Sequence, residues 1–120
     1  MLIKDLLLAK PVLQRLNNEK MPAKLAYAMA KNFRLVNQEL EDFEKARKKM
    51  LEDNYEFDEK NNKYIIPPEK EADAQKMFDE LINATVQFIP YQIPEFWLFD
   101  QLQLTPGEVM AIEWMLKLEE

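Results

Sequence analysis

A stretch without proline or glycine, from Ala23 to Ile66, constrains this chain more than any other feature of its sequence. Proline and glycine are the residues that most strongly disfavour helix interiors, so this stretch can hold one unusually long helix. Pro22 suits the first helical position, where its missing N–H donor is not needed. The pattern therefore predicts a helix from Pro22 to about Asn54. Apolar residues recur along it at intervals of seven, at Met29, Val36, Phe43 and Met50.

This heptad repeat is a coiled-coil-like seam, and it has two interpretations. A helix of this length would span about 50 Å at 1.5 Å per residue. That is longer than the ~26 Å diameter expected of a compact domain near this size. Part of the helix must therefore project or pair, and the seam either packs within the chain or forms a homo-oligomer. The residues that would form this packing seam or oligomer interface are Met29, Val36, Phe43 and Met50.

A shorter helix is predicted before the long one, since Leu6, Ala9, Leu13 and Leu16 form a stripe at intervals of three and four. Pro11 is expected to start a fresh turn or to kink this segment, because the residue before a proline is biased away from helix. The connection at residues 17–21 is short, so the two helices are expected to pack antiparallel.

The chain changes its period after the long helix. Residues 55–66 alternate between apolar and polar around a turn at Asn61 and Asn62, which predicts a β-hairpin. A helix is predicted from Glu69 to about Asn83, and Thr85 to Ile89 as a third strand or an extended segment. Residues 88–104 are rich in aromatic residues and show little regular pattern. The last predicted helix opens at a capping box, Thr105-Pro106-Gly107-Glu108.

These elements predict one domain over residues 1–120, of the α+β class and mostly α. Residues 1–54 are expected to form an antiparallel helix pair with a long second helix. Residues 55–120 are expected to add a small β-hairpin or three-stranded sheet, two further helices and an extended aromatic segment.

The composition argues against an enzyme. The chain contains no histidine, cysteine or serine, which removes the usual nucleophiles and the general base that titrates near neutral pH. Its single glycine, Gly107, excludes glycine-rich phosphate loops. We therefore predict no catalytic residues and no cofactor. Carboxylates occur in groups near Asp42 and Asp53, but without a cation-binding loop, so no metal site is predicted.

The net charge is −6, and the acidic excess lies in the second half of the chain. Residues 55–83 carry eight acidic and four basic groups, and residues 84–120 carry six and one. This distribution argues against direct nucleic-acid binding, which depends on Lys and Arg. The basic cluster at residues 45–49 lies among glutamates on the long helix, where intrahelical pairing is the expected role. No signal peptide and no membrane span are expected.

The aromatic residues of the last quarter are the best candidates for a partner-binding surface. They would form either a satellite core or an exposed patch of the residue types that dominate binding hot spots. The predicted partner-binding residues are Phe96, Trp97, Phe99 and Trp114.

Several segments carry a resemblance, in this order: Leu6-Leu7, Pro11-Val12-Leu13-Gln14-Arg15-Leu16, Lys20-Met21-Pro22-Ala23-Lys24, Ala30-Lys31, Glu39-Leu40-Glu41-Asp42-Phe43-Glu44-Lys45-Ala46-Arg47, Ile66-Pro67-Pro68-Glu69, Glu80-Leu81-Ile82-Asn83 and Leu104-Thr105-Pro106-Gly107-Glu108-Val109-Met110-Ala111-Ile112. Together they resemble short acidic proteins of unassigned function that tailed bacteriophages and prophages encode. The resemblance covers nearly the whole chain, although the segment from Phe88 to Gln101 departs from it. It implies a phage origin and no catalytic residues.

Three functions follow as hypotheses. The first is a non-enzymatic phage protein that contacts a phage structural protein or a host factor, in the bacterial host cytoplasm or in the virion. The second is an acidic inhibitor of a host defence nuclease, which presents carboxylates in place of phosphates. The third, ranked last, is an enzyme that uses carboxylates and a divalent cation. The inhibitor would use Glu56, Asp58, Glu59, Glu69, Glu71, Asp73, Asp79 and Glu80.

Overall fold

A computed structural model describes residues 1–117 of the chain. The described residues form a mostly helical α+β fold with a long second helix, as the sequence predicts. Two short 3-10 turns also occur, at Pro68–Lys70 and at Glu113–Met115. The elements in chain order are α1 (Ile3–Leu16), α2 (Ala23–Asn54), β1 (Glu56–Asp58), β2 (Lys63–Ile65), α3 (Glu71–Ile82), β3 (Ile93–Pro94), α4 (Glu95–Phe99), α5 (Pro106–Ile112) and β4 (Leu116–Lys117).

The helix pair of α1 and α2 forms the centre of the fold. Helix α1 continues through Pro11, so the prediction that this proline starts a fresh turn is wrong. Pro11 is exposed, and the Leu7 carbonyl that it leaves without an intrahelical partner can therefore bond to water. Helix α2 has 32 residues, about 48 Å at 1.5 Å per residue, and the whole molecule measures 53 × 29 × 23 Å. One helix therefore spans nearly the full length of the molecule.

The sequence predicts either a two-stranded hairpin or a three-stranded sheet, and the structure contains the hairpin. Strands β1 and β2 form an antiparallel hairpin of two strands, and Asn62 in its turn has a φ of 53°, which asparagine tolerates. The predicted third strand at residues 85–89 is absent from this sheet. Thr85 makes an isolated bridge with Leu2 instead, because the chain turns back to the start of α1. A second ladder, unpredicted, pairs β3 with β4 in parallel.

The buried core lies entirely at one end of α2. We call residues 1–43 and 86–117 the body and residues 44–85 the arm. No residue of the arm is fully buried, whereas the body contains every buried residue of the described chain. The body's core consists of Ile3, Leu6, Ala9, Val12, Leu13, Leu16, Leu25, Ala28, Met29, Val36, Leu40, Phe43, Val86, Ile93, Leu98, Ile112 and Met115, with the polar Asn32 among them.

Candidate protein-binding surface

Helix α4 brings three of the four predicted partner-binding residues together. Pro94 precedes this helix and Glu95 lies in its first turn, where an acidic side chain favours helix formation. Leu98 is fully buried and fixes α4 to the core. The neighbouring positions face outward, so that Phe96 is 48% exposed and Phe99 is 43% exposed. Two large aromatic side chains are therefore held at the surface by one buried leucine.

A buried asparagine fixes the segment that leads into α4. Asn32, on α2, is 0% exposed, and its side-chain amide makes two hydrogen bonds with the backbone of Tyr91. The Asn32 Nδ2 donates to the Tyr91 carbonyl at 2.8 Å, and the Tyr91 N–H donates to the Asn32 Oδ1 at 2.8 Å. Both partners are satisfied, which makes the buried amide compatible with a stable core. The approach of this segment to α2 is thus set by a specific polar contact.

Lysine side chains of α2 lie over the aromatic rings of this segment. The Lys24 ammonium is 4.2 Å from the centroid of the Trp97 ring. The Lys31 ammonium is 5.0 Å from the Tyr27 ring and 5.7 Å from the Tyr91 ring. These are distances of favourable cation–π contact. The lysines link the aromatic residues of α2 and of the α4 segment into one surface.

We call this surface the aromatic face and define it by Tyr27, Tyr91, Phe96, Trp97 and Phe99. Tyr27 is 61% exposed, and Tyr91 is also exposed. The Phe96 and Trp97 rings meet edge to face, with centroids 6.4 Å apart. Sequence reasoning missed Tyr27 and Tyr91. Tyr27 could have been identified from the sequence, because it lies one turn before Lys31 on the exposed side of α2.

A small pocket opens between the start of α2 and the start of α4. Its volume is about 200 Å³, and its apolar wall is formed by Pro22, Leu25, Phe96 and Trp97. The charged groups at this pocket are Lys24 and Asp100. Small-molecule sites usually measure about 300–1,000 Å³. This pocket is smaller, and its size suits a single apolar side chain.

The fourth predicted partner-binding residue lies elsewhere. Trp114 belongs to the 3-10 turn after α5, and its ring packs edge-on against Phe88 with centroids 6.1 Å apart. Its Nε1 donates to the Ala111 carbonyl at 3.0 Å, so the polar atom of the ring is satisfied within its own helical turn. The structure therefore places Trp114 in local packing, partly buried.

The predicted seam of α2 divides between the body and the arm. Met29, Val36 and Phe43 are buried in the core, where this chain itself covers them. Phe43 also meets the ring of Phe78 on α3, with centroids 6.3 Å apart. Met50 is only half-buried and lines a groove of about 420 Å³ between α2 and α3. Self-association through these residues stays a prediction.

The arm has a second, larger groove between α2 and the hairpin. It measures about 1120 Å³, and Phe57 and Tyr64 stand along it with ring centroids 5.0 Å apart. Desolvation of the Tyr64 hydroxyl, together with the nearby Glu52 carboxylate, raises the pKa of Tyr64. The groove is lined by residues of both charges, including Glu52 and Lys48, which pair with each other.

Carboxylates dominate the rest of the arm's surface. Seven of the eight residues named for nuclease inhibition are exposed, and Asp58 is half-buried in the hairpin turn. A hydrogen bond from the Asn61 side chain lowers the pKa of Asp58. Among residues 1–117, no three acidic side chains come together in a way that could hold a metal ion.

An ion pair joins α1 to α5 in the body. The Arg15 Nε donates to Glu108 Oε2 at 2.5 Å, and Arg15 also donates to the Gln103 carbonyl. This hydrogen bond from Arg15, followed by that from the Thr105 N–H, lowers the pKa of Glu108. Thr105 and Glu108 form the predicted capping box at the start of α5. One glutamate thus caps α5 and ties it to α1.

No helix in the described part of the chain has both the length and the apolar character to cross a membrane. In comparisons with known proteins, no protein family, curated protein or solved structure matches this chain.

Proposed function

We propose that this chain is a non-enzymatic bacteriophage or prophage protein that acts by contact with another protein, in virion assembly or in handling a host factor. The aromatic face is the contact surface. Its place of action is the cytoplasm of the bacterial host or the virion. The phage origin is supported by the sequence resemblance, and the contact surface by the geometry around α4.

The observation that carries the proposal is the exposure of large aromatic residues on a rigid support. Aromatic side chains supply most of the binding energy in many interfaces, above all where they surround a pocket that a partner can fill. Here the Leu98 anchor and the Asn32 hydrogen bonds fix such residues around a pocket of about 200 Å³. A pre-ordered surface loses little side-chain entropy on binding.

The test is quantitative affinity capture from bacteria that carry the phage or prophage, with mass spectrometry of the captured proteins. Three baits are compared: the wild type, Trp97→Ala and Phe57→Ala. Phe57→Ala is the control, because Phe57 is an exposed aromatic residue that lies on the arm, outside the aromatic face. A partner of the aromatic face should be lost with Trp97→Ala, by about 2 kcal/mol or more once its affinity is measured, and retained with Phe57→Ala.

The nuclease-inhibitor hypothesis is the second candidate, and the acidic surface of the arm favours it. Its carboxylates would take the place of phosphates in the groove of a nuclease. Glu71→Lys and Asp73→Lys should then abolish binding, and affinity should fall steeply with salt. The leading proposal expects these charge reversals to have little effect. If Trp97→Ala leaves every captured protein in place while Glu71→Lys removes one, the second candidate replaces the first.

A further inference from the structure

The cations of α2 differ sharply between the body and the arm. On the arm, Lys45, Arg47 and Lys48 each lie within 4.0 Å of a glutamate of the same helix. On the body, Lys24, Lys31 and Arg34 take part in none of the ion pairs found within residues 1–117. Three of the four cations that α2 carries on the arm are thus paired within the helix, whereas none of its three cations on the body is in an ion pair with another residue of the described chain.

These three cations lie on one side of α2 together with Tyr27. Residues 24, 27, 31 and 34 follow one another at spacings of three, four and three, and each residue turns the helix by about 100°. The four side chains therefore fall within an arc of about 80°. Arg34 extends the charged row beyond Lys31, away from the pocket that Lys24 and Trp97 border. The row thus starts at an apolar pocket and continues as a line of positive charge.

We infer that the aromatic face binds an acidic segment of its protein partner, with one large apolar side chain in the Trp97 pocket and carboxylates along Lys24, Lys31 and Arg34. This inference rests on the proposed function and adds the chemistry of the partner to it. Unpaired cations attract carboxylates, and the apolar wall of the pocket accepts the anchoring side chain.

The dimensions of the row set the size of the segment. From residue 24 to residue 34 the helix rises by about 15 Å, at 1.5 Å per residue. An extended peptide covers that distance in about five residues, at ~3.3 Å each. The recognised sequence is therefore short, with its apolar residue at one end and its acidic residues following it.

A nucleic acid would also offer negative charge and groups that stack on aromatic rings. Its affinity would depend on neutralising many phosphates with Lys and Arg. This chain carries a net charge of −6, and the aromatic face has Glu95 and Asp100 on its α4 side. Three cations against that background suit a short acidic peptide better than a polyanion.

The test starts with selection from a displayed library of random peptides against the whole protein. Enriched peptides should combine one large apolar residue with neighbouring Asp or Glu, and they should be lost with Trp97→Ala. The best peptide is then titrated against two variants of equal net charge, Lys31→Glu/Arg34→Glu and Lys45→Glu/Lys48→Glu. Circular dichroism verifies that all variants are folded.

The peptide should bind the first variant about tenfold more weakly or worse, because two exposed ion pairs are lost and the reversed charges repel the carboxylates of the peptide. The arm variant should stay within about twofold of the wild type, since those lysines face their own glutamates. A peptide with lysines in place of its acidic residues should restore binding to the first variant. Added salt should weaken the wild-type complex.

Four outcomes would overturn the inference: no enrichment, enriched peptides without acidic residues, unchanged affinity for Lys31→Glu/Arg34→Glu, or an oligothymidylate that binds more tightly than the peptide. If binding needs Trp97 but tolerates the charge reversal, only the acidic character of the partner is wrong and the proposed function stands. If binding needs neither, both fail.

Discussion

The body and the arm share one helix but are stabilised in different ways. In the body, α2 packs against α1 and the C-terminal segments around side chains that are fully buried. In the arm, α2 continues for 11 residues beyond Phe43, none of which is fully buried, and several of its charged residues pair along the helix surface. The comparison teaches that a helix started in a core can extend well beyond it.

The physical reason is the cost of helix nucleation. Forming the first turn of a helix is unfavourable, whereas each further residue adds a hydrogen bond at little cost. The body fixes α2 as far as Phe43, so its last 11 residues need only propagation. Pairs such as Glu41 with Lys45 add a few tenths of a kcal/mol each. The hairpin would be marginal alone, and it depends on this extended helix for support.

The largest expected effect contrasts equal truncations in the two regions. Leu6→Ala removes a fully buried side chain from α1 and should lower the free energy of unfolding by about 2–5 kcal/mol. Leu51→Ala removes a half-buried side chain from the arm and should lower it by about 1 kcal/mol or less. Urea unfolding measures both. Equal losses would mean that the arm belongs to the same cooperative core, and the division would be wrong.

The second effect concerns the asparagine that ties the aromatic face to α2. Asn32→Ala removes two hydrogen bonds and leaves the Tyr91 N–H and carbonyl without partners, which should destabilise the fold by about 1–3 kcal/mol. Asn54→Ala is the matched control. Its amide donates to the Met50 carbonyl at 2.8 Å on the exposed arm, and its loss should change stability by less than about 0.5 kcal/mol.

Hydrogen exchange locates the effect of Asn32→Ala. The Tyr91 amide should lose its protection first, because its acceptor is gone, while the amides in the middle of α1 keep theirs. If the Tyr91 amide stays protected in the variant, Asn32 does not fix this segment. The rigid support claimed for the aromatic face would then need another cause.

The sequence predicted the elements whose pattern is local. Helix α2 follows from its heptad spacing, and the capping box of α5 follows from four adjacent residues. The hairpin turn is explained by asparagine at Asn62. Each of these depends on neighbours within a turn or two, so one sequence is enough to see them.

The missed features depend on residues far apart in the chain. Asn32 and Tyr91 are 59 positions apart, and no local sequence pattern around either residue predicts their contact. The parallel pairing of β3 with β4, and the bridge from Leu2 to Thr85, are equally distant in sequence. The candidate surface likewise combines local and long-range features. Phe96, Trp97 and Phe99 were predicted from a local cluster of aromatic residues. Tyr27 and Tyr91 join them only through tertiary packing.

The third prediction concerns the N-cap residues of two helices, α5 in the body and α3 in the arm, and their contributions to stability. The Thr105 hydroxyl accepts a hydrogen bond from the Glu108 N–H at 3.1 Å at the start of α5. Thr105→Ala should therefore cost about 1 kcal/mol, and Thr105→Ser should restore most of it. On the arm, Lys70 occupies the N-cap position of α3 and its side chain makes no capping hydrogen bond, so Lys70→Ala should be neutral. Thermal unfolding measures all three, and an alanine at 105 as stable as serine would contradict the capping role.

The smallest expected effect is a difference between the body and the arm in how carboxylate ionisation makes stability depend on pH. The Arg15 hydrogen bond lowers the pKa of Glu108, so the folded state favours the ionised carboxylate. This contribution is present above the ordinary pKa of a glutamate and is lost as the pH falls through the lowered value. Glu108→Gln should therefore reduce stability at neutral pH and flatten its decline in acid.

Asp58 provides the comparison on the arm, because its pKa is also lowered, by the Asn61 side chain. Its stabilisation has the same sign and is lost in the same direction of pH, but it acts on a turn in which no residue is fully buried. Asp58→Asn should loosen the hairpin turn, seen as faster exchange of the Lys60 and Asn61 amides, whose acceptor is Asp58 Oδ1. Global stability between pH 7 and about pH 3 should keep its wild-type profile in this variant. If Asp58→Asn flattens the global profile as much as Glu108→Gln does, the hairpin unfolds together with the body, and the two regions form one cooperative unit.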